Sequence, residues 1–168
     1  IHLFTIITLA IPGIVLGLAY TICFKGTFIA NTFVIIIICN IVHFIASPYL
    51  MAYNALLKVN SNYEVVASTL NVGILKIIKD VIIPCTKSTI IEMFSYFFVN
   101  SMITISAVTF LYTSSTMPVS LLINNYEGNM MLGEAAIVSI IILLINLFVK
   151  IVSNIFVSKD RKKVYIND

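Results

Sequence analysis

The sequence has no tryptophan, three cysteines and two histidines, and only 10% of its 168 residues are charged. Ordinary soluble domains carry about 25% charged residues, so a normal water-facing surface is excluded. Cys23, Cys39 and Cys85 lie far apart, within or beside apolar runs where a thiol behaves as a small hydrophobe; neither a disulfide nor a metal site is expected. His2 and His43 have no carboxylate or cysteine nearby at a ligand spacing, which removes the usual basis for a metal centre or catalytic cluster. The nearest approach to a nucleotide loop, Gly128 to Ala135, lacks the Lys and Ser/Thr that hold phosphate and magnesium, so ATP binding is not expected on this chain.

What is present is apolar surface. The chain is 60% hydrophobic with a mean hydropathy of +1.08, the composition of an integral membrane protein. Four apolar stretches approach or exceed the roughly 20 residues needed to cross a bilayer as a helix: Ile1 to Phe24, Phe28 to Tyr53, Ser88 to Tyr112 and Glu134 to Val157. They are too long for the roughly 9 to 11 residues of a spanning strand, and they lack apolar-polar alternation. The fold class expected is an all-α membrane protein, a polytopic helix bundle forming one domain over residues 1–168. Ile1 already lies in an apolar run with no charged leader, so the chain reads as a fragment, incomplete at the N-terminus.

Orientation follows the placement of Lys and Arg. Lys58, Lys76, Lys79 and Lys87 fall between the second and third stretches, and Lys159, Arg161, Lys162 and Lys163 follow the fourth; Lys25 stands on the other side. This assigns the hairpin 61–84 and the tail 158–168 to the cytoplasm and the loop 113–133 to the exterior, with Val119 to Ile123 as a short surface helix.

The cytoplasmic hairpin is the richest segment. Ser61 and Glu64 have the spacing of a capping box, so a helix is expected from about Asn62. Tyr63, Val66, Ala67 and Leu70 share one face of it. Asn71 and Gly73 tolerate the left-handed conformation, which allows a turn. A second short helix follows from Ile74, with Ile74, Ile77, Ile78 and Val81 opposite Lys76, Lys79 and Asp80, and Pro84 ends it before the third span. The same apolar anchors would suit a connector resting on the membrane surface or a helix seated in the groove of a cytoplasmic subunit; spacing does not choose.

Val65-Val66-Ala67, Asn71 and Val81-Ile82-Ile83-Pro84 fall at a familiar spacing. There the sequence resembles the inner-membrane permease family of binding-protein-dependent ABC importers, whose signature is a cytoplasmic Glu-Ala-Ala, a following Gly and a closing Ile-x-Leu-Pro. Two positions depart from it. Val65 stands at the acidic position, with Glu64 one place earlier and about 100° around the helix, and Asn71 stands at the Gly. The resemblance extends through Ile11 to Tyr20, Ser106 to Leu111 and Ala135-Ala136, where it is closest to permeases for iron(III) or 2-aminoethylphosphonate.

The resemblance implies a MetI-like ABC permease core, with further helices before Ile1. Glu64, Val66, Ala67, Leu70, Asn71, Gly73, Ile74 and Pro84 become the ATPase-coupling set. It implies no cofactor on this chain, ATP and magnesium being held by a cytoplasmic ABC ATPase dimer. Other implied partners are a second permease half (identical, homologous or fused), an extracytoplasmic solute-binding protein and the lipid bilayer, with no nucleic acid. The implied location is the bacterial plasma (inner) membrane, multi-pass, with a cytoplasmic C-terminus.

Polar residues inside the spans supply the candidate path. Asn40, His43 and Ser47 share one face of the second span, and Tyr96, Asn100 and Thr104 recur at spacings of four in the third, with Glu92 and Ser95 nearer the cytoplasm. Such stripes face protein or a watery cavity rather than lipid. Ser139, Asn146, Lys150 and Ser153 form another in the fourth span, and Gly13 and Gly17 make a close-packing pair. Two alternatives use the same residues: a secondary transporter with Glu92 or His43 carrying coupling protons, and a polytopic membrane enzyme or scaffold with an interfacial hairpin.

Overall fold

Every regular element among the described residues is helical, as the long apolar runs require. The computed structural model describes the backbone of residues 2–60, 62–69 and 71–166, and their side chains other than those of residues 2–4, 64, 65, 67, 68 and 161–166. The chain runs through α1 (His2–Ile7), a 3-10 turn (Thr8–Ala10), α2 (Gly13–Cys23), α3 (Phe33–Phe44), α4 (Ala46–Leu56), α5 (Asn62–Thr69), α6 (Ile74–Ile77), a π turn (Ile78–Ile82), α7 (Ile83–Cys85), α8 (Lys87–Ile103), α9 (Val119–Gly128) and α10 (Leu132–Ile166).

The apolar stretches are not four uniform rods. Pro12 interrupts the first at the start of α2, whose Val15 and Leu16 amides turn back to the Pro12 carbonyl. The second bends by 53° between α3 and α4, where Pro48 sits in the first turn of α4 and cannot donate to the carbonyl one turn earlier. The third stops being helical at Ile103, with Thr104 already extended, so residues 104–112 of that stretch are irregular. Among the described residues only the fourth is one long helix: Leu132–Asp160 is long and apolar enough to cross a membrane by itself, and α3 with α4 meets the same criterion as a bent pair.

The irregular segment after α8 is the centre of the bundle. Ala107 and Val108 are fully buried, and with Leu111 they pack against Ile35, Ile36 and Cys39 of α3 and Leu121 of α9. Two glycines let α2 reach this backbone. A Cβ on Gly17 would stand 2.4 Å from the Ala107 carbonyl oxygen, and one on Gly13 would stand 2.6 Å from Ser106 Oγ. One turn further along α2, the Thr21 hydroxyl donates to the Phe110 carbonyl at 3.0 Å. The Cys39 thiol donates to the Ala107 carbonyl at 3.6 Å, and the Ser120 hydroxyl to that of Thr104 at 2.7 Å. Irregular backbone in an apolar setting needs such partners, because its amides and carbonyls are not satisfied internally. Gly13 and Gly17 thus pack closely as expected, Gly17 against the irregular segment and Gly13 against both that segment and His43 of α3.

Helix α8 runs antiparallel to α10, with Lys87 near Asp160 at one end and Tyr96 beside Leu147 and Lys150 further along. The remaining face of α10 is apolar and exposed, from Ile137 and Ile140 through Leu144, Phe148 and Ile151 to Ile155.

Candidate functional site

The hairpin forms from its own local chemistry. The Asn60 side chain accepts from the Asn62 amide at 2.9 Å, which caps α5 at its start. The expected Ser61–Glu64 capping box lies outside the described residues, as does Leu70; of Glu64 and Ala67 only the backbone, within α5, is described. Asn71 is left-handed with φ 53°, so the residue standing at the family's Gly position makes the turn, as its short polar side chain allows. Gly73 has φ −65° and ψ 144°, a conformation open to most residues, and takes no part in the left-handed step.

Pro84 does not end the second hairpin helix, contrary to the sequence-based expectation. The helical path runs from Ile74 to Cys85 and widens to a π turn over Ile78–Ile82 immediately before it. A π turn is a recognised way of fitting a local mismatch into a helix. The break comes at Thr86, whose amide and hydroxyl both donate to the Ile82 carbonyl, at 2.9 and 2.8 Å, and α8 starts at Lys87. The hairpin is therefore joined to α8 by a single non-helical residue.

Its apolar face is divided. Ile77 is buried and lines a groove with Leu56, Leu57, Tyr63 and Ile82 beneath the hairpin. Ile74 and Leu75 are 73% and 81% exposed, and Tyr63 and Val66 are about half exposed. Ile77 faces the groove that Leu56 and Leu57 also line, and Ile74 and Leu75 are presented outward beside Lys76 in the sequence.

The intramembrane polar residues come together in part. The Tyr96 hydroxyl donates to Ser47 Oγ at 3.1 Å, and its ring meets Phe44 edge-on at 6.4 Å, linking α8 to the bent pair. The His43 ring lies beside Gly13, 3.1 Å from the place a Cβ would take. Asn40 Oδ1 and His43 Nδ1 are buried with no hydrogen-bond partner among the described residues. Asn100 donates to the carbonyl of Tyr96 in its own helix at 2.8 Å. Thr104 lies beyond the helix end, so the stripe of Tyr96, Asn100 and Thr104 is not continuous on one face. Its side chain is buried while its carbonyl accepts from Ser120.

Glu92 occupies a different place. It lines two adjoining clefts between α4, α8 and α10. The inner one, of about 400 Å³, also holds Tyr96, Lys150, Ser153 and Asn154. The outer one, of about 640 Å³, holds Asn54, Lys58, Ser88, Thr89 and Asp160, with Pro84 and Cys85 of the hairpin at its rim. The stripe predicted on the fourth span divides accordingly: Lys150 and Ser153 line the inner cleft, whereas Ser139 donates to Ala135 within its own helix. Lys87 pairs with Asp160 of α10 at 3.8 Å. Asn54, Asn154 and Asp160 were not singled out from the sequence. They lie far from Glu92 along the chain, and only the antiparallel register of α8 and α10 and the packing of α4 collect them.

This arrangement is a helical core with a hairpin that presents exposed apolar side chains and is joined to the helix that carries Glu92 and Tyr96. The profile of the binding-protein-dependent transport system inner membrane component family matches residues 1–162. The chain belongs to that family. No curated protein and no solved structure matches it. The protein is accordingly an inner-membrane permease component of binding-protein-dependent transport, a transport subunit rather than an enzyme. Membership sets aside the proton-coupled carrier and the membrane enzyme, and it implies an ABC ATPase and a binding protein as partners in general terms. Among the described residues no group of three or more His, Cys, Asp or Glu side chains is placed to hold a metal ion.

Proposed function

We propose that this permease forms one half of a substrate path and takes its conformational drive from a cytoplasmic ATPase dimer through the hairpin 62–85. The observation that carries this reading is the outward pair Ile74 and Leu75, exposed on a hairpin that a single residue separates from α8. Apolar anchors of this kind suit a groove on a soluble partner, and movement of the hairpin would be passed to Glu92 and Tyr96 along a rigid helix. Asn71 sets the angle between the two hairpin helices. Glu64, Val66, Ala67, Leu70 and Gly73 complete the contact surface in this reading, and Pro84 with the π turn before it forms the link to α8.

The four apolar stretches cross the bilayer in this proposal, the first and second as broken helices and the third completed by the buried segment 104–112. The hairpin and the tail face the cytoplasm, where the Lys and Arg residues concentrate. A second permease half and an extracytoplasmic binding protein complete the importer in a bacterial plasma membrane. Iron(III) or 2-aminoethylphosphonate is the cargo suggested by the resemblance at Ile11 to Tyr20 and Ser106 to Leu111.

The test is substitution of both exposed anchors, Ile74→Asp with Leu75→Asp, in the intact transporter. The variant is expected to reach the membrane at the wild-type level, to lose co-purifying ATPase and to lose ATP-dependent uptake. Retention of the ATPase at wild-type stoichiometry would overturn the coupling role.

A further inference from the structure

We propose that a slot at the turn from α2 to α3 holds an acyl chain of an anionic phospholipid, with Lys25 receiving its phosphate. The proposal rests on the reading above that the apolar stretches lie in the bilayer. The slot has a volume of about 370 Å³, within the range of small-molecule sites, about 300 to 1,000 Å³. Ile35 and Leu111, 2% and 4% exposed, form its buried side, Ile22 and Phe110 are exposed beside them, and Lys25 and Asn31 line it from the turn. That turn is held by its own bonds, the Thr27 and Thr32 hydroxyls donating to the Phe24 and Ile29 carbonyls at 2.7 and 2.6 Å. Among the described residues the Lys25 ammonium has no ion pair.

The surface that leads to the slot identifies its occupant. Ile14, Leu18 and Ile22 recur at spacings of four on α2 and are 50%, 46% and 66% exposed, an apolar stripe that ends at the slot. Lys25 follows Ile22 by three residues, just past the end of α2 at Cys23. A hydrocarbon chain lying along this stripe therefore reaches an apolar recess with its charged end beside an unpaired ammonium. A flat protein surface does not reach Ile35 and Leu111 at the bottom of the slot, whereas a single chain does. The charge then selects among lipids: a zwitterionic head carries no net counter-charge for Lys25, and an anionic head supplies one. Phe28, 91% exposed in the same turn, adds apolar surface whose exposure to water would be costly.

The intact transporter is reconstituted in phosphatidylcholine nanodiscs that contain a small fraction of photoactivatable phosphatidylglycerol or photoactivatable phosphatidylcholine, each with a diazirine in one acyl chain. Adducts are mapped by peptide mass spectrometry. Label on Leu144 and Phe148, 56% and 68% exposed on the apolar face of α10, gives the bulk-lipid reference. Relative to it, phosphatidylglycerol should label the slot residues about fivefold more than phosphatidylcholine, the size of one lysine's attraction to an anionic lipid surface. Lys25→Gln should bring that ratio to about one. Ala30→Trp, which fills the slot from its own wall, should cut slot labelling by both lipids and leave α10 unchanged.

Equal labelling of the slot by the two lipids, an unchanged ratio in Lys25→Gln, or undiminished slot labelling in Ala30→Trp would overturn the site. A slot that takes no label while α10 is labelled would also overturn it, since a protein surface then covers the slot. If Ala30→Trp fails to fold, the comparison of the two lipids in the wild type and in Lys25→Gln still decides. An unlabelled α10 would instead overturn the bilayer placement on which the site rests; loss of ATPase binding in the Ile74 and Leu75 variant would not bear on the site.

Discussion

Replacing Gly17 by alanine tests whether the buried segment after α8 holds the bundle together. The added Cβ would stand 2.4 Å from the Ala107 carbonyl oxygen and 3.1 Å from the Ala107 carbonyl carbon. Reaching an ordinary contact of 3.4 Å requires the two backbones to part by 1.0 Å, the difference of the two distances. Neither side yields easily. Ala107 and Val108 are fully buried, the Ala107 carbonyl also accepts from Cys39, and Thr21 ties α2 to Phe110.

A clash against backbone belongs at the upper end of overpacking costs, about 3 kcal/mol. Alanine returns about 1 kcal/mol through its better helix propensity, which leaves a net loss of about 2 kcal/mol. For a chain of this size that corresponds to a melting temperature lower by about 4 to 8 °C, read by far-UV circular dichroism on the purified permease. Gly13→Ala should cost less, because its 2.6 Å neighbour is the end of a serine side chain that can rotate. Gly133→Ala meets nothing within 4 Å and should be neutral or slightly stabilising. Melting of Gly17→Ala at or above the wild type, or a larger loss for Gly13→Ala, would refute the packing argument.

Three further outcomes are expected. Asn71→Gly should leave the hairpin intact, while Asn71→Val should destabilise it by about 1 to 2 kcal/mol, the cost of a left-handed conformation for an ordinary residue, seen as faster hydrogen exchange over 62–85. Tyr96→Phe should lose about 1 kcal/mol with the Ser47 hydrogen bond, and a double-mutant cycle with Ser47→Ala should be non-additive; additivity would mean the bond contributes nothing. Lys87→Met should change stability by less than about 1 kcal/mol, because the pair with Asp160 is 3.8 Å long and the lysine side chain is 63% exposed; a larger loss in the melt would show that the pair anchors α8 to α10.

Much of the hairpin was legible along the chain because its signals are local. The left-handed turn at Asn71, the helix from Asn62 and the restart at Ile74 depend on neighbours within one or two turns. Pro84 was misread because proline forbids one hydrogen bond without dictating how the helix responds, and the response was a π turn that lets the path continue. Thr104 was misread for a related reason. Apolar composition continues past Ile103, and composition does not register that the chain has left the helix to be packed by α2, α3 and α9.

Low charge, high hydropathy and long apolar runs determined by themselves that this is a helical membrane protein, since lipid admits few ways to satisfy a backbone. The spacing of the hairpin residues carried the family. Tertiary structure alone decided that Gly13 and Gly17 press on an irregular segment, that Tyr96 reaches Ser47, and that Glu92, Lys150 and Asp160 border one pair of clefts. Those groupings join residues many turns apart, and they follow from the register of the antiparallel helices, which no local pattern encodes.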